Sequence, residues 1–246
     1  VLKFFKIKSR KKVNLSPWKK ITHSVLNNKK RVNIAIIGKY VELKDAYKSL
    51  DEALTHGGLA NNLKVNLIRI ESDYLKPKDV KDKLKKVSGV LIPGGFGKRG
   101  TEGKIAAISF ARKNNIPFLG ICFGMQMAVI EFARNKLKIK KATSSEFGPS
   151  KASVVGLMSE WMKDGKIIKG TDKDLGGTMR LGSYEAKLKK GSLINRIYST
   201  TKINERHRHR YEVNINYKEK FEKKGMIFSG LSPDSKLPEI VELKNH

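Results

Sequence analysis

The only cysteine in the sequence, Cys122, stands between two glycines in Gly120-Ile121-Cys122-Phe123-Gly124. An apolar run, Ile116-Pro117-Phe118-Leu119-Gly120-Ile121, leads into it and an amphipathic stretch leads away. A strand, a tight turn with a thiol at its apex and then a helix make a nucleophile elbow with sulfur in place of oxygen. The flanking glycines permit a sharp, strained turn and close backbone packing, so the thiol projects from the end of a sheet. The helix beginning beneath it directs its positive end at the sulfur, which predicts a stabilised thiolate, the reactive form. Backbone N–H groups at Phe123, and at Gly95 if its loop lies alongside, are the candidate donors to a developing oxyanion. On this pattern alone the competing reading, an ordinary buried thiol, stays open, since free cysteine is among the most buried residue types.

Two further segments carry chemistry. Pro93-Gly94-Gly95-Phe96-Gly97 follows the apolar run Val90-Leu91-Ile92, at the strand end where open parallel sheets bind ligands. It lacks the Lys-Ser/Thr ending of a phosphate loop; it reads either as a plain turn or, paired with the elbow, as an oxyanion loop. In Glu205-Arg206-His207-Arg208-His209-Arg210-Tyr211-Glu212-Val213-Asn214 the alternation puts the two histidines on one face of an extended segment and the arginines on the other. No second cysteine or clustered acid completes a metal site, so we expect no metal and read the arginines as a clamp for a substrate carboxylate.

These groups need a scaffold, and from Arg31 onward the sequence supplies one. Apolar runs rich in β-branched residues (32–38, 64–70, 90–93, 116–121) alternate with amphipathic stretches (45–62, 77–86, 105–114, 124–137). Ala46, Leu50, Ala53 and Leu54 are the expected inward face of the first long helix; Met125, Ala128, Val129, Phe132 and Ala133 are that of the helix after the cysteine. Repeated β-α units with right-handed crossovers predict a parallel sheet. Beyond residue 141 shorter strands, such as 153–158 and 226–231, and the pair Gly176-Gly177 predict a mixed or antiparallel extension. Residues 1–30, with Lys8-Ser9-Arg10-Lys11-Lys12, read as a linker or the trailing edge of a preceding domain, with a short helix starting at Ser16-Pro17-Trp18.

The 246 residues suffice for one large α/β domain. Lys and Arg outnumber Asp and Glu 52 to 23, a formal charge of +29. Such a balance fits nucleic acid, but the lysines are spread along the chain without a repeated basic and aromatic module, so a solvated lysine-rich face is the reading we adopt. No long apolar run or signal peptide is evident, and a single cysteine forms no internal disulfide; a soluble, cytoplasmic protein without membrane or nucleic-acid partners is expected.

Taken together, the segments resemble class-I glutamine amidotransferases, in particular the branch joined to CTP synthases. The resemblance covers residues 31–246 and includes Gly38-Lys39-Tyr40-Val41-Glu42-Leu43-Lys44-Asp45-Ala46-Tyr47-Lys48-Ser49, Glu52-Ala53-Leu54-Thr55-His56-Gly57-Gly58, the glycine loop and the elbow. It continues through Ser145-Glu146-Phe147, Asp174-Leu175-Gly176-Gly177-Thr178-Met179-Arg180-Leu181-Gly182 and the 205–214 segment. It implies a flavodoxin-like, three-layer α/β fold with a central, mostly parallel sheet. It also implies that Cys122 attacks the glutamine side-chain amide, with Gly95 and Phe123 as oxyanion donors. Gly95, Phe96, Phe123, Gly124, Met125 and Gln126 then line the glutamine pocket, while Glu146 and Arg210 meet the α-amino and α-carboxylate groups. No cofactor is implied in this domain. ATP with Mg²⁺, UTP and the activator GTP belong to the synthase domain, through which the parent enzyme forms a homotetramer; the amidotransferase portion alone is expected to be monomeric.

The family also places a base and its orienting acid in a His-Pro-Glu motif. None of His23, His56, His207, His209 or His246 is followed two places on by glutamate. The expectation is therefore that residues 31–246 form the amidotransferase domain without its His-Pro-Glu segment, and that this polypeptide by itself hydrolyses glutamine poorly. The alternatives are another cysteine-dependent amidotransferase or peptidase on the same scaffold, and a non-enzymatic basic protein that binds nucleic acid.

Overall fold

A computed structural model describes residues 3–8, 13–157, 160–163, 166–169 and 179–246. Residues 9–12 of the basic N-terminal run, Met158 of the expected 153–158 strand and residues 174–178, with their glycine pair, lie outside the described residues.

The β-α alternation takes the form the apolar runs predict. The strands β1 (Arg31–Gly38), β2 (Lys64–Glu71), β3 (Gly89–Ile92) and β4 (Phe118–Gly120) form a parallel sheet in the order β2-β1-β3-β4. The helices are α1 (Ser16–Asn27), α2 (Lys48–Ala60), α3 (Val80–Leu84), α4 (Thr101–Lys113) and α5 (Phe123–Asn135). Alternation along the strands divides the burial. Ala35, Ile37, Val90 and Ile92 join the main core with α4 and α5, whereas their neighbours Ile36 and Leu91, equally buried, lie outside that cluster. On the face of Ile36 the register places Arg69, which pairs with Asp51 of α2, and Val65, which packs on Gly58 of the same helix. Both faces of the sheet are therefore covered, as a parallel sheet requires.

Two expected helix faces need correction. The first long helix begins as a 3-10 turn at Lys44–Tyr47; Ala46 and Ala53 are exposed, and Gly58 is the buried contact because the Val65 side chain comes within 2.5 Å of where its Cβ would stand. In α5, Met127 and Ile130 are fully buried along with Val129, Phe132 and Ala133, while Met125 and Ala128 are only half-buried. A single inward face is absent because α5 is enclosed on two sides, by the parallel sheet and by the strands that follow it.

Those later strands form the expected extension: β5 (Thr143–Ser144), β6 (Ser153–Leu157), β7 (Glu160–Lys163), β8 (Lys166–Lys169), β9 (Arg180–Leu188), β10 (Lys202–His209), β11 (Tyr211–Val213), β12 (Met226–Leu231) and β13 (Pro238–Leu243). They build an antiparallel sheet, β10-β9-β12-β13, a small mixed sheet, β11-β6-β5, and the β7-β8 hairpin. The short helices α6 (Leu193–Tyr198) and α7 (Lys218–Glu222) interrupt them. Phe221 of α7 stacks on Phe132 of α5 and so ties the extension to the core.

Candidate functional site

Cys122 sits at the N-cap of α5, two residues beyond the last strand of the parallel sheet, with φ 53° and ψ −104°. A side chain other than glycine rarely adopts a positive φ, and the strain is held by what surrounds it. A Cβ on Gly120 would lie 2.6 Å from the Gly124 carbonyl carbon, and one on Gly124 only 2.1 Å from the Ile92 oxygen. Neither glycine can gain a side chain without moving backbone. The elbow is thus sterically fixed, and backbone bonds from Ile121 N–H to Ile92 O (2.9 Å) and from Gln126 N–H to Cys122 O (3.1 Å) complete it.

The glycine loop does lie alongside. A Cβ built on Gly94 would be 3.7 Å from Cys122 Cβ, and one on Gly95 4.0 Å from the Phe123 ring. Phe123 is almost wholly buried, Phe96 is 52% exposed, and Gly97 takes φ +75°. Glu146 reaches the same loop, its Oε1 accepting the Gly97 N–H at 2.6 Å.

The sulfur opens into a cleft of about 650 Å³ between α5 and the antiparallel sheet. Met125 and Gln126 line it on the elbow side, and His207, His209, Tyr211 and Glu239 on the other. Gln126 is 5% exposed and donates through Nε2 to the Tyr211 carbonyl at 2.9 Å, pinning β11 to the elbow helix. Arg210 occupies the bend between β10 and β11, between two residues that line the cleft. Of the expected site residues, Cys122, Met125 and Gln126 line this cleft. Gly95 packs on Phe123 and Glu146 bonds the glycine loop at Gly97, whereas Gly95, Phe96, Phe123, Gly124, Glu146 and Arg210 are not among its lining residues.

The stabilised thiolate is not found. Burial pushes the Cys122 thiol up to about 11, outweighing the Phe123 N–H that pulls the other way; the carboxylates of Glu212 and Glu146 add to the rise. The helix terminus acts on a sulfur that has lost its water, and desolvation wins. At neutral pH the group is a thiol, and a base must take its proton.

His207 and His209 do share one face of β10, with 2.8 Å between Nδ1 of the first and Nε2 of the second. His209 Nδ1 also lies 3.3 Å from the Tyr211 carbonyl. Burial, then the Arg180 guanidinium, pushes both imidazoles down to about 4. Arg180 itself bonds Glu212 (3.0 Å) and Glu239 (2.8 Å), and all three side chains are buried. Burial holds Glu212 up to about 7 despite that arginine. Among the described residues no group of three or more His, Cys, Asp and Glu side chains is arranged to hold a metal ion.

Sequence reasoning assigned no role to two buried lysines. Lys39, directly after β1, is 8% exposed and bonds the carbonyls of Phe96 and Gly97, the latter at 3.0 Å. Lys104, in α4, is 2% exposed, bonds Ser72 Oγ at 2.8 Å and is pushed down to about 8, chiefly by burial. Both ammonium groups lie over the Phe123 ring, at 5.5 and 5.8 Å from its centre. The available signal for Lys39 was its place at the carboxyl end of a parallel strand, where ligand sites form.

Comparisons with known proteins agree with this geometry. Residues 42–246 match the family described as Glutamine amidotransferase class-I. All 246 residues align at 72% identity with a CTP synthase of Pelagibacter ubique and, over 247 positions, at 56% with that of Rhizobium johnstonii. The chain spans 46% of the length of each. Among solved structures, the glutaminase domain of Trypanosoma brucei CTPS with bound acivicin superposes with a TM-score of 0.74 at 32% identity, over 87% of this chain and 85% of that one. No helix among the described residues is long and apolar enough to cross a membrane.

Proposed function

The chain belongs to the class-I glutamine amidotransferases, the family of CTP synthase glutaminase domains, and from that premise we propose that, as part of a polypeptide of the relatives' full length, it hydrolyses glutamine through Cys122 to supply ammonia. Once a base has taken its proton, the sulfur adds to the side-chain amide carbon of glutamine. The oxyanion that forms lies between the amides of Gly95 and Phe123. Collapse of the adduct, with a proton delivered to nitrogen, releases ammonia and leaves a glutamyl thioester that water hydrolyses to glutamate. Glu146 and Arg210 serve the α-amino and α-carboxylate groups, and the residues between Phe123 and Gln126 form the floor of the pocket. The thiol's high pKa makes the base indispensable, because very little thiolate exists at neutral pH.

The observation that carries this reading is the strained Cys122 conformation, enforced by two glycines without room for a Cβ and set beside a glycine loop and an open cleft. An ordinary core cysteine has no use for such a turn. In a polypeptide of the relatives' full length, the ammonia is consumed in the ATP- and Mg²⁺-dependent amination of UTP to CTP, activated by GTP, in a homotetramer assembled through its synthase portion. The test is Cys122→Ala in that full-length enzyme. Glutamine-dependent CTP formation is expected to vanish while synthesis from added ammonium salt continues. Retention of the glutamine-dependent rate would overturn the assignment.

A further inference from the structure

Lys39 and Glu146 approach the same peptide unit from opposite sides. The Phe96 carbonyl accepts from Lys39 Nζ, and the Gly97 N–H donates to Glu146 Oε1 at 2.6 Å. These are the two ends of one trans peptide plane, in which C=O and N–H point in opposite directions. A cation therefore holds the oxygen end and a carboxylate the hydrogen end, each bond assisted by charge. Lys39 also takes the next carbonyl, that of Gly97 at 3.0 Å, which fixes a second peptide plane across a residue whose φ of +75° leaves it otherwise free to turn.

We propose that Lys39 is a positioning residue for glutamine hydrolysis, which with Glu146 clamps the Phe96–Gly97 peptide and so anchors the carboxyl end of the glycine loop, holding the amide of Gly95, two peptide units earlier, toward the reacting carbonyl before substrate arrives. The inference rests on the oxyanion role given to Gly95 above. Oxyanion stabilisation depends on donors whose orientation costs nothing at the moment of reaction, and a glycine loop has no such rigidity of its own. The niche also fits a specific role. Lys39 is nearly buried against the Phe123 ring, and its charged neighbours are Arg99, Asp73, Glu146 and Glu71, with Lys104 over the same ring. A long cationic side chain is costly to bury, and here all of its length is spent on reaching two consecutive carbonyls.

The experiment compares Lys39→Met and Lys39→Arg with the parent in the full-length enzyme, using two reactions of Cys122. Glutamine hydrolysis passes through an oxyanion; alkylation by iodoacetamide displaces iodide at a saturated carbon and does not. For Lys39→Met the expected result is a fall in glutaminase kcat of about ten- to a hundredfold, with KM within about threefold. The alkylation rate and ammonia-dependent CTP synthesis stay at parental values, and Lys39→Arg, which keeps the charge and the donors, recovers most of the loss. A Lys39→Met enzyme with parental kcat would overturn the proposal. So would parallel loss of hydrolysis and alkylation, or equal loss in both variants, which would make Lys39 a packing residue. If Cys122→Ala still hydrolyses glutamine, the function itself fails; if it does not and Lys39→Met is normal, only the clamp fails.

Discussion

The two walls of the cleft are built on different physics. On the elbow side the geometry is set by backbone: a strained cysteine, two glycines in contact with carbonyl groups, and amides aimed by the start of α5. On the opposite side it is set by side-chain charge: Arg180 shared between Glu212 and Glu239, with two imidazoles against them. Backbone sterics are indifferent to pH and intolerant of added atoms. A buried ion cluster tolerates changes of shape better than changes of charge. The wall that carries the nucleophile is thus the rigid one, and the wall facing it is the one that responds to solution conditions.

That contrast can be broken by substitution. Gly124→Ala places a methyl group 2.1 Å from a backbone oxygen that cannot step aside. It is expected to cost about 4 kcal/mol or more, on the order of the whole stability of a marginal domain, measured by denaturant unfolding. Next in size, Arg180→Met leaves two buried carboxyls without their cation and should cost about 3 kcal/mol at pH 8, where they are charged. The cost should shrink toward pH 5, because Glu212 and Glu239 are both held above the usual carboxylate range and can take up protons. An elbow substitution shows no such pH dependence.

The imidazoles sharpen the comparison. His207 and His209 titrate near 4 in the folded chain and near 6.5 when unfolded, so the unfolded state binds their protons first. Their contribution is present in full above about pH 6.5 and is lost as pH falls toward 4. Glu212, raised to about 7, acts in the opposite sense: its contribution is present below its unfolded value and is lost as pH rises through 7. Replacing both histidines by glutamine should flatten the acid limb of a plot of melting temperature against pH; an unchanged limb would assign it to other groups. The smallest effect is a control for the elbow. Gly57→Ala adds the same methyl group to an exposed helical site with nothing within 4 Å, and should stabilise by about 0.5–1 kcal/mol.

What sequence reasoning reached and missed follows the same division. The elbow was legible because a backbone conformation that demands glycine leaves glycine in the sequence, at residues 120 and 124, and because apolar runs betray parallel strands. The buried face of α5 was misjudged since helical periodicity assumes a single partner, whereas this helix packs both on the parallel sheet and on strands far along the chain, so that Met127 and Ile130 are buried as well. Arg180 and Glu239 left no local trace: a buried charge is recognised by its partner, and the carboxylates that pair with Arg180 lie 32 and 59 residues away. The ionisation of Cys122 went astray for a related reason. The helix terminus is visible in sequence, but the depth at which the tertiary structure seats the sulfur is not, and that depth decides its pKa.

The central claim is that this sulfur is the atom that takes the glutamyl group. Acid quenching of the full-length enzyme during steady turnover of glutamine, followed by mass mapping of its peptides, tests it directly. The account predicts a glutamyl adduct on the peptide containing Cys122, removed by hydroxylamine as a thioester is. Continued turnover with Cys122 unmodified, or an adduct on any other residue, would contradict it.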